Sequence, residues 1–506
     1  MALLPAVAAA VGSDGRSVGP AMFVNHLSIR VGRLAAVVAV LATGIVAATT
    51  GPPAGAASGV AGQLTRYPYL TDLVGRSVTV NWATDRSATS ASATWGAVDG
   101  SGACTPATTV TAVRTSITVV STPEYQWRAT LSLPASGRYC YRVALGSLDL
   151  LGGKGSPVFT TQVAAGSSST YSFAVFGDWG QGNASGDNPD TTRLLGRLAS
   201  SGARFAVTVG DNGYPSGSQT VNGDLYQTGK DTSVIFGPAF WASAGASLPL
   251  FVSPGNHGFS SGAATRSTEQ INWPQDTAVS TSGGRAVRET YCCVNGTNSA
   301  SYPSEWYAFD AGNARFYVIS ADWADSNIGD GTVYSDDYAA HWAPSTPQYK
   351  WLKADLAAHP TGLKFAFFHY PLYSDQKSQT SDTYLQGSGS LEGLLASNHV
   401  SIAFNGHAHI YERNVATGPG TFPSYVSGGG GGTLQPVGEA GCHSFDAYAI
   451  GWSPTKSKGT RCGAATAPTS ADHVYHFLLV TVSGTTVTVT PTDEYGRTFD
   501  VVTYHF

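Results

Sequence analysis

Five apolar runs in this chain each stop abruptly at a short cluster of glycine and polar residues, and that repetition constrains the fold more than any other feature. Tyr171 to Phe176 leads into Gly177-Asp178-Trp179-Gly180, and Phe205 to Val209 into Gly210-Asp211-Asn212-Gly213-Tyr214. Leu248 to Val252 leads into Gly255-Asn256-His257, Leu363 to Phe368 into His369-Tyr370-Pro371, and Val400 to Phe404 into Gly406-His407-Ala408-His409. Short runs rich in Val and Phe, closed by Gly or Pro, read as strands buried on both faces. Stretches of helical character, Asp190 to Ser200 and Pro347 to His359, lie between them. The expected class is α/β, with polar residues gathered above the strand ends, where such folds place ligands.

As candidate site residues the clusters offer Asp178 and Asp211, Asn256, Tyr214 and four His. That exceeds the need of one metal ion and suits two adjacent ions that share a carboxylate. Carboxylate and phenol oxygens suit Fe(III), whereas imidazoles and an amide carbonyl suit Zn(II), Mn(II) or Fe(II). Two ions about 3.5–4 Å apart can clamp both oxygens of a phosphoryl displacement and acidify a bound water. One Asp in a Gly-rich turn is ordinarily a turn or cap residue, so the reading rests on the whole series.

That series resembles the calcineurin-like metallophosphoesterases and, within them, the purple acid phosphatases. Tyr214 stands three residues after Asp211, and His409 is followed by Ile410-Tyr411-Glu412-Arg413. The resemblance covers roughly Tyr171 to Gly432. It implies that Asp178, Tyr214 and His409 hold Fe(III), that Asn256, His369 and His407 hold a divalent ion (Zn, Mn or Fe), and that Asp211 bridges the two. It further implies a secreted phosphatase that cleaves phosphomonoesters with a metal-activated hydroxide, His257 binding the phosphate and protonating the leaving oxygen. A phosphodiesterase or nucleotidase on the same centre is the nearest alternative, and a binding protein without turnover is a more distant one. The implied fold is a β-sandwich flanked by helices, in four layers, over residues 171–506.

Departures from the family pattern bear on substrate choice. Gly258 stands where an acidic residue is usual, Ala366 where a β-branched one is, and Ser374 to Gln379 contains no histidine. Lys377 reads as a solvated loop lysine; His341, His359, His399 and His443 read as surface or ordinary polar contacts.

Residues 62–163 alternate in strand fashion at Ser77 to Trp82, Thr115 to Val120 and Arg138 to Val143, with Gly, Pro and Ser turns between. They read as an all-β sandwich resembling the fibronectin type III-like domain that precedes many of these phosphatases, with a linker at Ala164 to Thr170. Residues 1–57 read as an export signal: Arg30 and Arg33 flank an apolar run from Leu34 to Ala48, followed by Ala54-Gly55-Ala56, with Met22 a possible true start. A retained anchor is the alternative; no other stretch approaches the roughly 20 apolar residues of a span. The formal net charge of −5 becomes more negative once residues 1–56 are removed, which argues against electrostatic capture of nucleic acid. The oligomeric state is not indicated. Six cysteines in an exported chain imply disulfides: Cys104 with Cys140, Cys442 with Cys462, and the adjacent Cys292 and Cys293 joined to each other or elsewhere. Asn183 and Asn295 head glycosylation sequons. Gly258 to Glu305 is expected to form loops framing the site. Gly428 to Gly432 is either a close backbone approach or a loose loop. The hairpin Val474 to Val482 and Thr485 to Thr490, with Phe499 to Phe506, is expected in the second sheet.

Overall fold

Side-chain size sorts the two faces of the central strands. In Leu363–Phe367, Phe365 and Phe367 project to one side and meet Phe173, Phe316 and Phe404, with ring centroids 4.9–6.5 Å apart across the set. Ala366 and Phe368 project to the other side, among Leu352, Leu391 and Leu395 of two helices. Each buried Phe contributes about 1.5–3 kcal/mol by leaving water. Ala366, which stands where a β-branched residue is expected, is fully buried in this layer.

The structure is a computed structural model that describes residues 63–182, 188–227, 235–259, 263–292, 299–320, 347–381, 383, 385–415 and 422–506. The export segment with Met22, together with Asn183, Cys293, Asn295 and His341, lies outside the described residues.

Two mixed sheets face each other across that phenylalanine layer. One runs in the order Val502–His505, Thr486–Asp493, His476–Ser483, Tyr171–Phe176, Ala206–Thr208, Leu250–Val252, Leu64–Val74, Ser77–Thr84, Thr122–Ser132, Val113–Val119. The other runs Arg285–Cys292, Ser299–Ala311, Ala314–Val318, Leu363–Phe367, Ile402–Asn405, Ser424–Ser427, Tyr411–Asn414, Asp446–Ser453, Lys458–Gly463. Tyr171–Phe176, Ala206–Thr208 and Leu250–Val252 are mutually parallel, as are Ala314–Val318, Leu363–Phe367, Ile402–Asn405 and Ser424–Ser427. Helix Pro189–Ser200 covers the first sheet: Asn188 Oδ1 caps it on the N–H groups of Asp190 and Thr191, and Leu194, Leu195 and Leu198 pack with Phe176 and Trp179. Helices Pro347–Ala358 and Leu391–Ser397 cover the second. The result is four layers.

Three expectations need correction. The C-terminal hairpin joins the first sheet, not the second: His476–Ser483 pairs antiparallel with Tyr171–Phe176 and so covers its otherwise open edge. The stretch from Gly258 to Glu305 is not simply loops. It holds helices Ala263–Asn272 and Asp276–Ser282 and the strand Arg285–Cys292, paired with Ser299–Ala311. The all-β region is also not strung on a linker. Its strand Leu64–Val74 pairs with Leu250–Val252 at Thr71 and Leu250, making one sheet continuous through both regions. Buried Arg66 donates to Gly223 O (2.9 Å), Asn272 Oδ1 (3.0 Å), Gln126 Oε1 (3.2 Å) and Gln219 Oε1 (2.9 Å). Asp72 accepts from the N–H groups of Thr277 and Ala278 at the start of Asp276–Ser282. A smaller sheet, Thr108–Thr111, Ala91–Ala97, Arg138–Leu145, Leu148–Asp149, with Val158–Thr160 on Arg138–Leu145, completes the region. The expected disulfides Cys104–Cys140 and Cys442–Cys462 are both formed.

Candidate metal centre

All five clusters follow the C-terminal ends of parallel strands, three from the first sheet and two from the second, so they meet above the seam between the sheets. Reaching that point demands sharp turns. Asp178 (φ +58°), Asp211 (φ +48°) and His407 (φ +69°) all adopt the left-handed region that L-residues rarely occupy. Gly210 must be glycine because a Cβ there would collide with the His369 ring. The loops are cross-braced: Trp179 Nε1 donates to Asn212 Oδ1 (3.0 Å), and Asn212 Nδ2 donates to Ser253 O (3.1 Å).

Asp211 is the hinge of the arrangement. Its Oδ1 lies 3.3 Å from His369 Nε2, while its Oδ2 accepts from the Tyr214 hydroxyl at 3.0 Å. On the Oδ1 side, Asn256 Oδ1 sits 2.9 Å from His369 Nε2 and 3.1 Å from His407 Nδ1. On the Oδ2 side, Tyr214 Oη lies 3.1 Å from Asp178 Oδ1 and 2.9 Å from His409 Nε2. The seven predicted ligands thus fall into two groups that meet at one carboxylate.

Backbone carbonyls fix the imidazoles. A carbonyl can only accept, so His369 Nδ1 donates to Val209 O (2.8 Å) and His409 Nδ1 donates to Thr433 O (2.7 Å). As neutral rings, the form that ligates a metal, both turn an Nε2 lone pair toward oxygens: Asn256 Oδ1 in one case, Asp178 Oδ1 and the Tyr214 hydroxyl in the other. Such convergence is what a cation between them would satisfy, so the donor set fits two metal ions. Charge leads to the same inference. Burial pushes the Asp178 carboxyl and the Tyr214 phenol up, the latter reinforced by Asp178 and Asp211, and burial pushes His407 down, while, against burial, Asp211 pushes His369 up to about 10. The His407 N–H also donates to both oxygens of Asp178 at 3.1 Å.

His257 stands apart from the seven. Its Nδ1 donates to Pro215 O (2.7 Å), its ring lies 4.3 Å from that of Tyr214, and its Nε2 is 3.7 Å from Asp211 Oδ2. The Pro215 carbonyl therefore orients the ring where a carboxylate after Asn256-His257 is missing. His257 opens on a cleft of about 460 Å³ that Gln181, Tyr214, His409, Thr433 and Gln435 also line.

The glycine run is a close backbone approach, not a loose loop. Gly428 to Gly432 is buried, Gly430 N–H donates to Gly177 O (3.0 Å), and Gly432 N–H donates to Asp178 O (2.7 Å). Cβ atoms at Gly428 and Gly430 would overlap the carbonyls of Ala408 and Gly177. Lys377 is exposed, and His359 and His443 make ordinary polar contacts. Sequence reasoning missed Val209, Pro215 and Thr433, because they act through carbonyls that carry no side-chain signal. It also missed Gln435, whose Oε1 accepts from the His409 N–H (3.0 Å).

Residues 171–411 match the family model of the calcineurin-like phosphoesterases. A nucleotide pyrophosphatase/phosphodiesterase of Hordeum vulgare is 26% identical over 303 residues, 53% of this chain and 70% of that protein. Purple acid phosphatase 23 of Arabidopsis thaliana is 29% identical over 152 residues, and purple acid phosphatase 15 is 32% identical over 119. These matches cover 28% and 23% of this chain but only 29% and 19% of those proteins. Among solved structures, the purple acid phosphatase PPD1 of Lupinus luteus superposes with a TM-score of 0.58 at 16% identity, covering 88% of this chain and 74% of that one, which speaks for the fold. Residues 171–411 are thus a calcineurin-like phosphoesterase region, similar in part to purple acid phosphatases; these likenesses support a phosphoesterase hydrolase, and this family implies a dinuclear metal centre.

Proposed function

We propose that the chain is a secreted phosphatase that cleaves phosphomonoesters at a dinuclear centre. Asp178, Tyr214 and His409 would hold Fe(III), Asn256, His369 and His407 a divalent Zn, Mn or Fe ion, and Asp211 both. The observation that carries this reading is the division of Asp211, with Oδ1 toward His369 and Oδ2 toward Tyr214. When bound, such ions supply Lewis-acid activation of water and neutralise charge on the phosphoryl oxygens. Around them, Val209 O and Thr433 O hold the ring tautomers, and the His257 Nε2 is placed to bind the phosphate and pass a proton to the leaving oxygen.

As a corollary, residues 1–57 serve as an export signal, residues 62–163 as a fibronectin type III-like domain, and residues 171–506 as the catalytic domain. Two disulfides support export. A second reading, phosphodiester or pyrophosphate cleavage, is favoured by the likeness to the barley nucleotide pyrophosphatase/phosphodiesterase. It also draws on the cleft, whose described lining contains no Lys or Arg to balance a monoester dianion. The test is phosphate release from p-nitrophenyl phosphate against cleavage of bis(p-nitrophenyl) phosphate by the metal-loaded chain. A higher kcat/KM on the monoester is expected. A higher value on the diester selects the second reading, and two bound metals without turnover on either overturn both.

A further inference from the structure

Three residues beyond His409, the strand Tyr411–Asn414 enters a second acceptor-rich cluster that the catalytic reading does not use. Glu412 and Asn414, two positions apart, share one face of the strand, and Asp446 pairs directly opposite Asn414. Asp375 arrives from the loop after His369. Its N–H donates to Glu412 Oε2 (2.8 Å), Asn414 Nδ2 donates to Glu412 Oε1 (2.9 Å), and Asp375 Oδ1 accepts from the His443 N–H (3.1 Å) and faces His443 Nδ1. Carboxylate oxygens of Asp375 and Asp446 lie within 4.8 Å of each other and of the sulfurs of Cys442 and Cys462. Those sulfurs are joined in a disulfide, so they form a wall and offer no thiolate.

What sets this cluster apart from an ordinary acidic group is what it lacks in donors. Asp375, Glu412 and Asn414 are at most 3% exposed. Asp375 Oδ2, Asn414 Oδ1 and both carboxylate oxygens of Asp446 are buried without a hydrogen-bond partner. Buried acceptors left unmatched destabilise a fold, and a native structure that collects four in one place calls for a counterpart.

We propose that Asp375, Asp446 and Asn414, in a frame held by Glu412, form a non-catalytic cation site that takes one Ca²⁺. The donors are all oxygen, carboxylate and amide, the set of a hard cation; zinc and copper favour nitrogen or sulfur. The one nitrogen at hand, His443 Nδ1, is turned onto Asp375 Oδ1. Waters would complete the six to eight ligands of Ca²⁺. The site would tie together three pieces of the catalytic wall: the loop after His369, the strand after His409, and the Gly438–His443 turn, whose Gly438 N–H donates to Asp375 O (3.1 Å). The competing description has no cation. Burial and the adjacent Asp375 push Asp446 up to about 9, and burial pushes Glu412 up to about 8, so the cluster could instead share protons.

Equilibrium dialysis of the metal-loaded full chain against ⁴⁵Ca²⁺ separates the two, with Asp375→Asn and Asp446→Asn as isosteric variants. The expected result is one saturable equivalent of Ca²⁺ in the parent protein. Its affinity should fall at least about tenfold in each variant, with iron and divalent-metal content unchanged. Saturating Ca²⁺ should raise the parent Tm by several degrees and leave the variants unmoved. Absence of saturable Ca²⁺ binding in the folded parent overturns the proposal whatever the variants do. So does binding that is equal in the parent and both variants.

Discussion

The metal centre and the acid cluster are three residues apart along one chain segment, from His409 to Glu412, yet they are built on different principles. In the centre, the imidazoles of His369 and His409 are each pinned from behind by a backbone carbonyl, so nitrogen lone pairs and carboxylates of fixed direction converge on two points. In the acid cluster the unmatched atoms are oxygens only, and they have no hydrogen-bond partner. Both regions concentrate negative charge in a buried place. The contrast teaches that charge alone does not say which cation a site takes: the direction of lone pairs and the nitrogen-to-oxygen ratio do.

The sharpest way to break this contrast is a matched pair of substitutions. Asp211→Asn should lower kcat/KM by roughly 10³-fold or more, since it removes the carboxylate shared by both halves and with it several kcal/mol of charge stabilisation. Asp446→Asn should stay within about twofold of the parent, with circular dichroism unchanged in both. Equal losses would mean that the two regions are one functional unit. Next in size, His257→Ala should cost roughly 10²-fold in kcat and leave metal content intact, because the residue meets substrate and not metal. A loss of bound metal in that variant would move His257 into the ligand set. Gln435→Leu, which removes the acceptor from the His409 N–H, should cost about tenfold in activity or metal affinity.

The two regions also answer pH with opposite sign. Buried His476, whose Nδ1 donates to Val474 O behind the glycine run, is pushed down to about 4 by burial. It is neutral in the folded chain and takes up a proton in the unfolded chain near 6.5. It therefore contributes stability that is present above pH 6.5 and is lost as pH falls toward 4, at about 1.4 kcal/mol per unit. Glu412, pushed up to about 8, works the other way: its contribution is present below pH 4.5 and is lost as pH rises through 8. Urea unfolding at pH 6.5 and 5 should show His476→Gln losing about 2 kcal/mol less than the parent between those values. An identical loss would mean that His476 is already protonated in the fold.

The five strands leading to the centre were legible because each is a nearly continuous apolar run with glycine at its end, and Tyr171–Phe176 begins and ends where the run does. The eight candidate site residues stood out because their types and order are unusual together, and the structure brings all of them to one place. The helices Ala263–Asn272 and Asp276–Ser282 were not, since their sequences are polar and show no apolar stripe long enough to separate helix from loop. Nor was the continuity of the first sheet, which depends on Thr71 meeting Leu250, far away along the chain. The acid cluster escaped for the same reason. Asp375, Glu412 and Asp446 are scattered singly in the sequence, and only the pairing of Asn414 with Asp446 gathers them.

The account turns on Asp211 serving two ions at once, and elemental analysis of the folded protein tests that most directly. Iron plus divalent transition metal should total two equivalents per chain in the parent and fall below one and a half in Asp211→Asn, with calcium counted separately. A parent that binds one equivalent at saturation, or an Asp211→Asn variant that keeps both, would contradict a shared carboxylate at the seam of the two sheets.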